Sequence, residues 1–238
     1  MEAANELKME ETDQLLGNRN EGKQAPERVL FVTGDMSLAE LKRRARKYKV
    51  TINDWFLTSI TRALQKYYGS EMPQPNIRCE TAMSCHVDED LDNFEPSNRL
   101  IAEEIIMDCK KDLPSAIEET KRALAPWKNT DLIMSWEMID TWKYNYLPIF
   151  MSKRLLEDYI ANQTVTCSNI AGPRKHKWLF NGKEAHWVTV TTNHLIPEIT
   201  LTSMHDTCKV TVSGDGAKFK DFKVFTRLIE EAMLTKEF

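Results

Sequence analysis

Apolar and polar positions along this chain change period several times, and each change marks an element. Up to residue 27 the chain is rich in Glu, Asn, Lys and Gly with no sustained apolar period, which predicts a disordered tail at 1–27 and one domain over 28–238. Arg28-Val29-Leu30-Phe31-Val32-Thr33 reads as a strand closed by Gly34-Asp35. Ser37-Leu38-Ala39-Glu40 has capping-box spacing and opens a short helix to about Tyr48. Thr51-Ile52-Asn53-Asp54 starts a second helix. There Phe56, Ile60, Ala63, Leu64 and Tyr67 recur on one face, and Gly69 stops it. A strand over Asn76–Ser84, an acidic loop over Asp88–Ser97 and a strand over Leu100–Met107 follow. Pro114 then sits in the first turn of a helix reaching about Leu124.

From Asp131 to Tyr159 the chain is aromatic-rich and mostly helical in pattern, broken at Leu147-Pro148. Past Pro173 the period becomes two. Trp187–Thr192, Ile199–Met204 and Cys208–Ser213 read as three strands of an antiparallel meander. A last helix, about Phe219 to Leu234, carries Phe222, Phe225, Ile229, Ala232 and Met233 on one face, so a sheet with packed helices is the expected architecture.

Composition narrows the function. With 238 residues, 42% of them hydrophobic, the chain can bury roughly 70% of its extended surface. A formal charge of -4, with Lys and Arg dispersed, offers no basic field for nucleic acid. The start Met1-Glu2-Ala3-Ala4-Asn5-Glu6-Leu7-Lys8 has neither a basic region nor an apolar run, and no window approaches the ~20 apolar residues of a membrane span. The expected location is therefore cytoplasmic, with peripheral contact at the endoplasmic reticulum or plasma membrane left open. The five cysteines form no C-x-x-C pair and read as reduced, buried thiols. The triplet Asn162-Gln163-Thr164 is silent as a glycosylation site in that compartment.

The strand Thr164-Val165-Thr166-Cys167 stops at Ser168-Asn169-Ile170-Ala171-Gly172-Pro173. That segment resembles the Ser-Asn-Val-Pro-Gly-Pro signature of the wax ester synthase/diacylglycerol acyltransferase family. Val50-Thr51-Ile52-Asn53-Asp54-Trp55-Phe56-Leu57 resembles the family's Asn-Asp helix opening. Val212-Ser213-Gly214-Asp215 is similar to its aspartate-bearing strand end. The order of these features matches the family's C-terminal half over about residues 29–235. The resemblance implies an α/β (α+β) two-layer sandwich: one half of a chloramphenicol acetyltransferase-like fold, with a mixed sheet and helices on one face. Two departures stand out. The family's arginine-containing Pro-Val-Ser segment is Ala82-Met83-Ser84-Cys85-His86 here, and the paired-histidine element His-His-x-x-x-Asp-Gly is absent, with no two of His86, His176, His186, His194 and His205 adjacent.

Acyl transfer from a thioester to an alcohol needs a base near pKa ~6.5 and an oxyanion donor. The resemblance implies that the base comes from the other half, so no catalytic residue is expected in this chain. Fatty acyl-CoA is then the donor substrate, and no cofactor or metal is bound. Ser168, Asn169 and Gly172 are candidates for the wall of a substrate tunnel; the alternative is a strand end followed by a turn. Asn53, Asp54, Pro173 and Asp215 are structural motif positions, Asn53 and Asp54 being equally natural in a helix cap. His194 and His205, the latter beside Asp206, fit solvated loops better than a catalytic base. His176, among Arg174, Lys175 and Lys177, reads as a solvated loop or a contact for phosphate. Leu147–Leu156 combines bulky apolar residues with Lys153 and Arg154, which suits a core helix with a snorkelling rim and also shallow membrane contact, the core being favoured.

The function expected from the resemblance is the C-terminal half-domain of an O-acyltransferase that moves a fatty acyl group from acyl-CoA to a long-chain alcohol or diacylglycerol. A complementary histidine-bearing N-terminal half, or self-association, would cover its apolar surface. The rival is a non-catalytic lipid- or partner-binding scaffold that keeps the half-fold.

Overall fold

A single mixed sheet organises the chain. The computed structural model describes residues 28–71, 76–84, 100–109, 112–128, 135, 138, 139, 141, 142, 145–161, 163–172, 179–191, 196–215 and 221–235. The expected tail at 1–27, the acidic loop at 88–97 and Pro173 lie outside the described residues. The strands are β1 (Arg28–Val32), β2 (Met36–Ser37), β3 (Asn76–Ser84), β4 (Leu100–Asp108), β5 (Val165–Ala171), β6 (Leu179–Phe180), β7 (Lys183–Glu184), β8 (Glu198–Met204) and β9 (Thr207–Asp215). The helices are α1 (Leu38–Lys47), α2 (Ile52–Tyr68), α3 (Leu113–Leu124), α4 (Ile149–Ala161) and α5 (Phe222–Leu234). The main sheet runs β1-β9-β8-β5-β3-β4, with β2 also on β9; β6 and β7 form a separate hairpin. The β3–β5 and β5–β8 pairs are parallel and the other pairs in the main sheet antiparallel.

Local chemistry sets the helix ends. The Asp54 backbone N–H donates to Thr51 Oγ1 and the Asp54 carboxylate accepts from the Thr51 N–H, a complete capping box for α2. At α1 only half of the expected box forms. The Ser37 hydroxyl accepts from the Glu40 N–H, but the Glu40 carboxylate is taken by Arg43 at 2.7 Å and Arg44 at 2.9 Å. Charge-assisted bonds outcompete a neutral backbone donor, and the hydrogen bond from Arg43 holds Glu40 down at about 2. Asp112 caps α3, with Pro114 in its first turn. Asp221 caps α5 through the Val224 N–H, so this helix begins at Phe222, three residues later than its apolar spacing predicts.

Helices cover one face. Ile77, Cys79, Val165, Cys167, Ile199 and Val210 of the sheet share a core with Phe56, Ile60 and Leu64 of α2 and Phe225, Ile229 and Met233 of α5. A smaller cluster joins Trp55 to Ala45, Leu113 and Ile117, with Tyr48 stacked on Trp55 at 5.5 Å.

Two expectations fail. The β8–β9 hairpin forms, but Trp187–Thr192 is not its third strand: residues 187–191 belong to no strand, Thr192 lies outside the described residues, and the other partners of β9 are β1 and β2. The period-two pattern there has a different origin, since Trp187 lies against Lys209 at 5.0 Å and Thr189 Oγ1 meets Thr211 Oγ1 at 2.6 Å. The segment crosses the sheet face, and its alternation follows the pleat beneath it. Second, α4 is not a core helix, because Ile149, Phe150, Met151 and Leu155 are all exposed. Hydropathy alone cannot separate a core face from one left open for contact. Asn181-Gly182 forms a hairpin turn of the kind that an Asn-Gly pair favours. Both residues have positive φ, 49° and 74°, and join β6 to β7, as a two-residue hairpin turn requires.

Candidate functional site

The face of the sheet opposite the helices carries hydroxyls and carboxylates. Register aligns Glu104, Glu80, Thr166, Glu198 and Ser213 in one row across β4, β3, β5, β8 and β9. The next row is Ala102, Ala82, Ser168, Thr200 and Thr211, with Thr202 beside Lys209 beyond it. The Thr166 hydroxyl donates to Glu80 at 2.9 Å and the Thr200 hydroxyl to Glu198 at 3.3 Å. Glu80 and Glu104 are direct cross-strand partners, an arrangement that repels. Arg78 offsets this by donating to both Glu104 oxygens at 3.1 and 3.2 Å, and Gln163 adds a bond at 3.0 Å.

This face is bracketed. On the β4 side the Tyr159 hydroxyl donates to the Ala102 carbonyl, and burial pushes that phenol well up. On the β9 side Trp187 and Thr189 lie over Lys209 and Thr211. Between them Thr166, Glu198, Thr200, Thr202, Thr211 and Ser213 are buried. The Thr202 and Ser213 hydroxyls and the Trp187 indole N–H are buried without a hydrogen-bond partner among the described residues. Native interiors rarely leave such groups orphaned. The arrangement offers donors and acceptors for a polar group brought in from outside.

The tunnel candidates separate. Ser168 is half-buried on this face beside Thr200, whereas Asn169 alternates to the other face and is exposed. Successive strand residues point to opposite faces, so one lumen cannot receive both directly. The Gly172 N–H donates to the Ser203 carbonyl at 2.8 Å, and a Cβ there would stand 2.1 Å from that oxygen. It allows β5 to close on β8. Asp215 ends β9 in register with Arg28.

Asn53 is half-buried in the first turn of α2, and Asp54 is buried as its cap. Lys128, just past α3, donates to both Asp54 carboxylate oxygens at 2.8 and 2.9 Å, a contact that sequence spacing did not indicate. Asp54→Ala is expected to lower stability by about 2 kcal/mol, since it removes a cap worth ~1 kcal/mol and a pair weakened by the exposure of Lys128. Urea unfolding of both proteins checks this, and an unchanged midpoint would refute it.

Two histidines fall among the described residues. His186 is exposed, His205 occupies the β8–β9 turn at φ 55°, and His86, His176 and His194 lie outside the described residues. Four described cysteines are buried, and burial pushes Cys109, Cys167 and Cys208 up, the last to about 11, so these three are poor thiolates. Among the described residues no His/Cys/Asp/Glu group could hold a metal ion, and no helix is long and apolar enough to cross a membrane.

Residues 99–235 match the WS/DGAT C-terminal domain family. The chain belongs to that family. No curated protein matches it. Among solved structures, the wax ester synthase/diacylglycerol acyltransferase from Marinobacter aquaeolei VT8 is 13% identical with a TM-score of 0.54, over 97% of this chain and 55% of that one. The condensation domain that mediates chain release from the enacyloxin polyketide synthase is 13% identical with a TM-score of 0.58, over 90% and 42%. The epimerization domain from the third module of tyrocidine synthetase B is 12% identical with a TM-score of 0.54, over 98% and 57%. At such identities the likeness is one of fold. This WS/DGAT C-terminal domain chain has the mixed sheet with helices expected of a condensation-type half, and it spans about half the length of these structures.

Proposed function

We propose that this chain is the second wall of an O-acyltransferase of the wax ester/triacylglycerol type, moving a fatty acyl group from acyl-CoA to a long-chain alcohol or diacylglycerol. The observation that carries the reading is the family match over residues 99–235. The hydroxyl-bearing sheet face, where the buried Thr202 and Ser213 hydroxyls lack a hydrogen-bond partner among the described residues, supports it as the surface that meets substrate or a covering half.

The base is a histidine outside these 238 residues, which contain no adjacent histidine pair. It takes the proton of the acceptor hydroxyl. The alkoxide oxygen then forms a C–O bond to the acyl carbon, the C–S bond breaks, and the coenzyme A thiolate recovers the proton. Ser168, Thr200 and Thr202 line the face on which the acyl carbonyl or acceptor is oriented, and no cofactor is held. Peripheral contact with a membrane would supply both lipid substrates.

Radiolabelled transfer from palmitoyl-CoA to hexadecanol and to diacylglycerol tests this, with the chain alone and with a histidine-bearing N-terminal half added. Product only in the mixture is expected. Turnover by the chain alone that is lost in His205→Ala would overturn the division of labour. Silence in both, with palmitoyl-CoA still bound, would favour the non-catalytic scaffold.

A further inference from the structure

Six of the eight residues from Lys42 to Lys49 are cationic, namely Lys42, Arg43, Arg44, Arg46, Lys47 and Lys49, in a chain whose formal charge is -4. Elsewhere the cations are dispersed; here they wind round the last two turns of α1 and just beyond it. Cations in a final helical turn complement the helix dipole. That effect operates in solvent and does not call for a buried cation, yet Arg44 is only 8% exposed.

Three of the six enclose a cleft. Arg43, Arg44, Lys47 and Tyr48 at the end of α1, Trp55 of α2 and Thr235 just past α5 line a cavity of about 160 Å³. This is room for about five waters at ~30 Å³ each, and hence for one phosphate group. The aromatic wall is fixed in place. Tyr48 stacks on Trp55 at 5.5 Å, the Trp55 indole N–H donates to the Met233 carbonyl at 3.3 Å, and Lys47 Nζ lies 5.6 Å from the Tyr48 ring centre.

Positive charge is left over on this wall. Glu40 is shared, accepting from Arg43 Nε and Nη2, both at 2.7 Å, and from Arg44 Nε at 2.9 Å. Arg44 Nη1 donates to the Thr235 carbonyl. A guanidinium has five N–H groups, and Arg44 Nη2 makes no hydrogen bond among the described residues. Lys47 meets the Tyr48 ring but no carboxylate among them. One carboxylate therefore faces three cations. A phosphate monoester carries a charge of about -1.5 to -2 at neutral pH and three strong acceptor oxygens, which suits both the surplus charge and the unused donors. A carboxylate brings only one charge. A nucleic-acid strand would need the basic field to continue beyond one helix, and the net negative charge of the chain opposes that.

We infer that the cleft between the end of α1, Trp55 and Thr235 is a binding site for a phosphate monoester, held by Arg43, Lys47 and the Nη2 edge of Arg44. Its source is a free phosphate-bearing molecule or the phosphate of a lipid headgroup. The inference stands apart from the acyl-transfer reading, because the cleft uses no residue of the hydroxyl-bearing face.

Titration of the isotope-labelled full chain with inorganic phosphate, against sodium chloride at matched ionic strength, is expected to shift the backbone amides of residues 43–48 with a Kd of about 1 mM or tighter. Lys47→Glu, at an exposed position, should weaken binding by about tenfold or more with an unchanged circular dichroism spectrum. Lys223→Glu alters the net charge equally at the opposite end of α5 from Thr235, and should bind as the wild type does. The absence of shifts at these amides would overturn the inference. So would equal weakening in the two variants, since binding would then follow net charge and not the cleft. Flotation with vesicles of phosphatidylcholine and phosphatidic acid in equal parts separates the two sources. Flotation that depends on Lys47, beside the phosphate shifts, assigns the site to a lipid headgroup; the same shifts without such flotation assign it to a free phosphate-bearing molecule.

Discussion

Gly172→Ala is expected to destabilise the chain by about 3 kcal/mol. The glycine lies just past the end of β5, where its N–H donates to the Ser203 carbonyl of β8 at 2.8 Å. A Cβ would stand 2.1 Å from that oxygen and 3.3 Å from its carbon, so the obstacle is backbone and cannot turn aside. Relief requires the strands to part, which costs ~1–3 kcal/mol in strain and ~1 kcal/mol for the lost hydrogen bond. For a chain of this size the melting temperature should fall by roughly 6–12 °C. Gly34→Ala is the comparison: its Cβ would meet a Glu230 carboxylate oxygen at 2.9 Å, at the free end of an adaptable side chain. A small shift there beside a large one at Gly172 is the expected pattern. Equal shifts would mean that β5 and β8 do not approach this closely.

Phe225→Ala is expected to cost about 4 kcal/mol, within the ~3–5 range for removing a buried aromatic side chain. Phe225 is buried in α5 and meets Tyr67 of α2 edge to face at 5.8 Å. It belongs to the core that joins both helices to the sheet. The cavity would open where three elements meet, and backbone pairing around it limits collapse. Phe225→Leu should recover more than half of the loss by refilling the volume. Denaturant midpoints with unchanged slopes check both variants. A loss under about 1 kcal/mol for the alanine would show that α5 does not carry this core.

Much of this fold was legible because its signals are local. Thr51 and Asp54 cap α2 as their spacing predicts, and Pro114 sits in the first turn of α3. Ile77 and Cys79 alternate with the polar residues between them because one face is covered by helices. The resemblance carried by Ser168–Gly172 led to the family. It did not show that Ser168 and Asn169 face opposite ways, nor that Gly172 lies hard against the Ser203 carbonyl. Those facts depend on register between strands distant in sequence.

The sequence by itself determined where α1, α2 and α3 start, which positions are apolar, the family, and the absence of an adjacent histidine pair. Caps, periodicity and motifs are written within a few residues of one another. Only the tertiary structure decided that Trp187–Val190 lies across the sheet rather than in it, that Lys128 reaches Asp54, that α4 is left uncovered, and that Thr202 and Ser213 keep orphaned hydroxyls. An alternating pattern records that every second side chain meets something. Which surface it meets is set by the packing of segments far apart in the chain.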